Sequence, residues 1–170
     1  MYAKGDKVVY PHHGAAVVES VVEREGFGQR RAYLKLRLPR GLTIMVPVDS
    51  AQQVGLRRVA RRKNIDEVFD LLRQEEAEMA ALWPQRYKTN LAKLATGDIY
   101  QGAEVIRDLS LMARRTRLSD GEMRLLVKAR EMLISELTVT FDCTEENARA
   151  MLDSVLETNP GSRTPQPQRR

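Results

Sequence analysis

The one tryptophan of this chain lies in Leu82-Trp83-Pro84-Gln85-Arg86-Tyr87-Lys88, between two helix-forming patterns and at the head of a basic stretch. Proline suits the first turn of a helix, where its missing N–H would go unpaired in any case. That places Trp83 at or beside the N-cap, half out of the helix, with Arg86 and Lys88 within about one turn. An apolar wedge beside cations can lean on an unstacked base while neighbouring phosphates are held. The same indole could instead anchor one helix in the core, because tryptophan is usually largely buried. The segment by itself leaves both readings open. More cations follow on the same helix and on and after later ones, among them Lys93, then Arg107, Arg114, Arg115, Arg117, Arg124, Lys128 and Arg130. Arg124 and Lys128, spaced i, i+4, share a face. No helix start is rich in the Asn, Gln and Arg of a base-reading element, so contacts from these groups predict binding independent of DNA sequence.

Catalytic constellations are missing. His12 and His13 are adjacent, so in a strand they point to opposite faces, and no third ligand stands at a usual metal spacing. Gly26-Phe27-Gly28 reads as a hairpin turn rather than a phosphate-cradling loop. No Ser or Cys nucleophile has a nearby His. The reading is a protein that is not an enzyme and uses no metal or cofactor.

These side chains must be positioned by a chain of 170 residues, 42% hydrophobic and 30% charged, with a net charge of +5. No run is long and apolar enough to span a membrane, and the N-terminus lacks a signal-like apolar region. The lone Cys143 cannot form an internal disulfide, and the expectation is a cytoplasmic protein. Charge is unevenly spread. Residues 86–130 hold ten basic and five acidic groups, whereas 131–158 hold one and seven. A polyanion would meet the first region and avoid the second.

Residues 1–53 read as four or five short strands with Gly and Pro turns, a small, strongly bent sheet or barrel. Its outer face is expected to show Arg24, Arg30, Arg31, Lys35, Arg37 and Arg40. Residues 54–63 form a basic connector. Residues 64–158 carry five helical patterns. Asn64 is expected to cap the first, with Ile65, Val68, Phe69 and Leu72 inward. The second runs from Pro84 to about Thr96, with Tyr87, Leu91 and Leu94 inward and Gly97 as its stop. Asp98 caps the third. Ser119-Asp120-Gly121-Glu122 is a capping box for the fourth, whose inward face is Met123, Leu126, Val127, Leu133, Ile134 and Leu137. Thr144 opens the fifth. Residues 159–170 read as a disordered tail. The fold class is α+β with two domains.

Several of these segments resemble the CarD/CdnL family of bacterial transcription regulators. They are Lys4-Gly5-Asp6-Lys7-Val8-Val9-Tyr10-Pro11-His12-His13-Gly14, Val46-Pro47-Val48 with Val54-Gly55-Leu56-Arg57, Trp83 to Lys88 leading to Leu94-Ala95-Thr96-Gly97-Asp98, and Leu118 to Glu122 with Lys128-Ala129-Arg130. The similarity spans about residues 1–158 in order. The opening motif also occurs in transcription-repair coupling factors, and the helical half makes the resemblance specific.

The resemblance implies a Tudor-like (SH3-like) N-terminal β-barrel that docks on the β subunit of RNA polymerase. It implies an all-α bundle of about five helices that contacts promoter DNA at the upstream edge of the bubble. There Trp83 would wedge into the minor groove and stabilise the open complex. Arg86, Lys88, Arg114, Arg124 and Lys128 fall in or near the family's basic DNA face. Arg24 matches a polymerase contact. Met45 stands where other members carry a second basic contact, a loss that Lys35 or Arg40 would have to offset. The implied protein works as a monomer, with polymerase and DNA as partners, no membrane, and association with the nucleoid through polymerase. The rival reading is a protein–protein adaptor whose helical domain binds another protein and whose Trp83 is structural.

Overall fold

A computed structural model of the chain describes residues 1–162 other than His12, Phe27 and Glu76. Five strands form one antiparallel sheet in the order β4-β3-β2-β1-β5. They are β1 (Lys7–Tyr10), β2 (Gly14–Gly26), β3 (Gln29–Arg37), β4 (Thr43–Pro47) and β5 (Arg57–Arg58). Alternation along β3 sends Leu34 and Leu36 to one face, where they join Val8, Ala16, Val18 and Val46. Ala51 and Leu56, on the segment leading into β5, close over this small core. Glu19 is an extra residue between Val18 and Ser20, a β-bulge that bends the long strand β2. The sheet is the small bent module expected at the N-terminus, but it runs further along the chain. Leu56 is core and Arg57-Arg58 pairs with β1, so most of the connector expected at 54–63 belongs to the β domain.

Five helices follow: α1 (Arg62–Leu72), α2 (Trp83–Ala95), α3 (Ile99–Ala113), α4 (Asp120–Phe141) and α5 (Glu145–Glu157). Three of the expected caps are present. Asp98 accepts from the Gln101 N–H at 2.9 Å, Thr144 from the Asn147 N–H at 3.1 Å, and Ser119 and Glu122 form a reciprocal capping box. α1 departs from expectation. It begins two residues before Asn64, without a side-chain cap, and the Asn64 amide donates to the Tyr100 hydroxyl instead. Among the described residues no helix is long and apolar enough to cross a membrane.

Two apolar stripes are rotated from the expected ones. On α2, Leu91 is exposed and Asn90 takes the inward position. On α4, Met123 and Val127 are exposed, and Glu122, Leu125, Leu126 and Ala129 face inward. In both cases a polar side chain, Asn90 or Glu122, lies buried on the inward face. The first residues of the segment expected as a tail are packed on the bundle. Asn159 is buried, and its amide donates to the carbonyls of Leu72 (2.8 Å) and Gln74 (2.6 Å). Residues 163–170 lie outside the described residues.

The two domains pack against each other through α4. The carboxylate of Glu136, 2% exposed, accepts from Arg57 Nη1 (2.8 Å), Arg57 Nη2 (2.9 Å) and the Ala60 N–H (2.7 Å). Arg57 Nε donates to the Gly97 carbonyl at 2.8 Å, which ties in the end of α2. Lys7 Nζ donates to the Val139 carbonyl at 2.7 Å, and the Ala15 N–H donates to Ser135 Oγ at 3.0 Å. Strand register puts Lys7, Ala15 and Arg57 on one face of the sheet, the face opposite Leu34 and Leu36. α4 therefore covers the β1–β5 end of that face and leaves the β3–β4 end open.

Candidate nucleic-acid interface

Trp83 is the first residue of α2 and Pro84 the second, one position further into the helix than expected. The indole is 52% exposed and its neighbour Leu82 is 63% exposed, so Trp83 is presented at the surface rather than anchored in the core. Leu82, the N-cap, makes no side-chain capping bond. The irregular segment between α1 and α2 is instead pinned at three places. Asn159 holds Gln74, Asp108 Oδ1 accepts the Ala77 N–H at 3.1 Å, and Arg86 Nη1 donates to the carbonyls of Ala80 (3.2 Å) and Ala81 (2.6 Å).

Arg86 is therefore not the free surface cation expected of it. Its side chain is only 12% exposed, and Nε donates to Glu122 Oε1 at 2.9 Å. Glu122 is fully buried, and its second oxygen accepts from the Ser119 N–H (3.0 Å) and hydroxyl (2.9 Å). The network joins the starts of α2 and α4. Tyr87 packs beside it, where a Cβ on Gly121 would meet its ring at 3.3 Å. The S-x-x-E spacing marked Glu122 as a cap residue, but nothing local marked Arg86 as its partner 36 positions away.

Burial alone would raise the Glu122 carboxyl. The bonds from Arg86 and Ser119 to its charged form outweigh that and hold it below the 4.5 of an unperturbed glutamate. A folded-state value below the unfolded one adds stability that is present above pH 4.5 and lost as pH falls through the folded value. Denaturant unfolding followed from neutral pH into the acid range should therefore show a shallower loss of stability in Glu122→Gln than in wild type. Equal slopes would mean that this carboxylate is not linked to folding.

The remaining expected DNA residues sit differently. Lys88 and Arg124 are exposed. Lys88 is five residues into the helix that Trp83 opens, and Arg124 follows two residues after Glu122, so both lie close to the Arg86–Glu122 junction. Arg114 is exposed at the end of α3 and has an interaction of its own. Lys128 is half-buried, also has a partner, and lines a cleft of about 240 Å³ between the domains with His13, Arg40 and Glu131. Trp83, Lys88 and Arg124 thus belong to the first turns of α2 and α4, which the Arg86–Glu122 pair joins, whereas Lys128 lines the domain junction. Arg117, exposed just before α4, is a further cation near the start of that helix. Among the described residues no group of three or more His, Cys, Asp or Glu side chains could hold a metal ion. His13 stacks on Tyr10, and His12 lies outside the described residues.

The open part of the sheet collects the other expected contacts. Register places Arg24 directly opposite Arg31, and Lys35 opposite both Ser20 and Met45. With Tyr33, opposite Val22 and Pro47, these residues share one face. Tyr33 had not been singled out from sequence. Two like charges at directly opposed positions are unfavourable. Lys35 is paired to Glu19 at 2.8 Å, and this bond lowers the Glu19 carboxyl. Arg40 reaches Glu145 at the start of α5 (3.1 Å). Neither cation is thus left uncommitted to offset Met45. Arg30 pairs opposite Glu25 and so falls on the other face of the ribbon.

The model of the CarD C-terminal domain matches residues 67–153, and that of the CarD-like/TRCF RID domain matches residues 2–60. The candidate transcription factor YdeB of Bacillus subtilis (strain 168) is 34% identical over 151 residues, which cover 88% of this chain and 99% of that protein.

Proposed function

The chain belongs to the CarD family of transcription factors, which are not enzymes, and from that premise we propose that it docks on the β subunit of RNA polymerase and stabilises the open promoter complex. The β domain supplies the address through the open sheet face that carries Arg24, Tyr33 and Met45. The helical domain supplies the contact to DNA at the upstream edge of the bubble. The observation that carries this reading is Trp83: an exposed indole at a helix start, on a pinned segment, with exposed Lys88 on the same helix and exposed Arg124 near the start of α4, which Arg86–Glu122 ties to the start of α2. An indole set into the minor groove opposes restacking of the bases beside it. Cations near it hold backbone phosphates without reading sequence. Tethering to polymerase raises the local concentration of the helical tip, so a weak DNA contact suffices. The protein acts as a monomer in this scheme, since each surface is complete within one chain.

Open-complex half-life, measured with polymerase and a promoter after competitor challenge, tests this. Wild-type protein should lengthen it. Trp83→Ala should lose most of that gain, up to about five- to 150-fold if the lost stacking is of the size found for one base on one aromatic ring. Equal half-lives with the two proteins, both folded and polymerase-bound, would make the indole a spectator and favour an adaptor role.

A further inference from the structure

We infer that Arg86 is a positioning residue for Trp83: its guanidinium fastens the backbone entering α2 to the buried head of α4, and so sets the direction in which the indole leaves the surface. This rests on the reading of Trp83 as a wedge. The indole is half exposed and lies outside the core of the bundle, so its orientation depends on the backbone that carries it. That backbone has no N-cap side chain and no regular structure before Leu82. Beyond the helix's own bonds from the Gln85 and Arg86 N–H groups to the Leu82 carbonyl, the bonds nearest to Trp83 that restrain the segment entering α2 are those of Arg86 Nη1 to the carbonyls two and three residues upstream. Arg86 is itself restrained, because its partner Glu122 is fully buried and has its other oxygen held by Ser119.

The choice of residues supports this. A buried ion pair is a poor means of gaining stability, since both charges must be desolvated, and an apolar pair of similar size serves as well or better. What the pair adds is direction. A planar guanidinium held at Nε by a fixed carboxylate has its Nη1 hydrogens aimed at one place, and the loop must come there. A wedge held in its bound orientation loses less freedom on insertion, so more of its contact appears as open-complex lifetime.

Two full-length variants separate positioning from direct phosphate contact. Arg86→Lys keeps the charge and the pairing with Glu122 but lacks the fork that reaches Ala80 and Ala81. The double variant Arg86→Gln with Glu122→Gln removes the ion pair without leaving a buried charge alone and without changing net charge. The sole tryptophan reports on itself through nanosecond fluorescence anisotropy, and far-UV circular dichroism verifies folding.

Positioning predicts a larger fast component in the Trp83 anisotropy decay of both variants. It predicts that the gain in open-complex half-life falls roughly three- to tenfold, as the loss of one or two ordinary hydrogen bonds would give. The dependence of DNA affinity on salt should not change. A salt slope lowered by about one in the double variant would instead mark Arg86 as a phosphate contact and overturn the inference. So would an anisotropy decay like that of wild type in both variants. If Trp83→Ala leaves half-life unchanged, the wedge reading fails on that result alone, and the anisotropy comparison still decides whether Arg86 orients the indole. If Arg86→Lys does not fold, Ser119→Ala removes one bond to Glu122 and should shift the anisotropy in the same direction by less; no shift would count against the clamp.

Discussion

Glu136→Ala should destabilise the protein by about 3 kcal/mol, because it strips the charge partner from a partly buried guanidinium and leaves the Ala60 N–H unpaired. Glu136 is 2% exposed and accepts two bonds from Arg57 and one from the Ala60 N–H. Removing it leaves three donors facing a cavity. Each domain has an apolar core of its own, so loss of this link should also split one unfolding transition into two. Calorimetry would record the split, and a single cooperative transition of unchanged midpoint would refute it. The functional effect should exceed the local one. Glu136 lies 14 residues along α4 from Glu122, about 21 Å at the usual helical rise. α4 is therefore the rigid spacer between the sheet face and Trp83. Without the link, polymerase binding through the β domain should persist while the open-complex half-life falls toward that of polymerase alone.

Gly14→Ala should cost about 2–4 kcal/mol, the sum of a left-handed backbone and a displaced hydrogen bond. Gly14 has φ +85°, and a Cβ there would stand 2.5 Å from Ser135 Oγ. That hydroxyl cannot simply turn away, because it accepts the Ala15 N–H at 3.0 Å and donates to the Met132 carbonyl at 2.9 Å. The clash therefore forces β2 away from α4 at the point where the domains meet. Chemical denaturation of Gly14→Ala, Ser135→Ala and the double variant checks this. The double variant should be more stable than the two single losses added together, because the hydroxyl in the way is gone. Strict additivity would mean that the contact is slack.

Where the sequence was legible, the information was local. Asp98, Ser119 and Thr144 cap helices through bonds to N–H groups three residues on, so spacing alone reveals them. Alternation in β3 likewise told Leu34 and Leu36 from Lys35 and Arg37. What spacing could not convey was pairing across the chain. Arg57 meets Glu136 over 79 positions, and Arg86 meets Glu122 over 36. Neither arginine differs locally from a solvated one. Periodicity also offers Leu91, Met123 and Val127 an inward place, whereas the packed helices turn Asn90 on α2 and Glu122 and Leu125 on α4 inward instead. The exposure of Trp83 was one of two readings left open by its segment, and only the packing around α2 distinguishes them.

Asn159 closes the polypeptide into a loop. It follows α5, yet its amide is buried against the carbonyls of Leu72 and Gln74, where the segment leading to Trp83 begins, and Gly161 packs on Leu111 of α3. The last helix thus finishes beside the root of the segment that bears the indole, at the far end of the bundle from the β domain. A fluorophore attached at Ser154, on the last turns of α5, would therefore sit toward the root of the segment that carries Trp83, so labels for use with polymerase and promoter belong elsewhere on the chain.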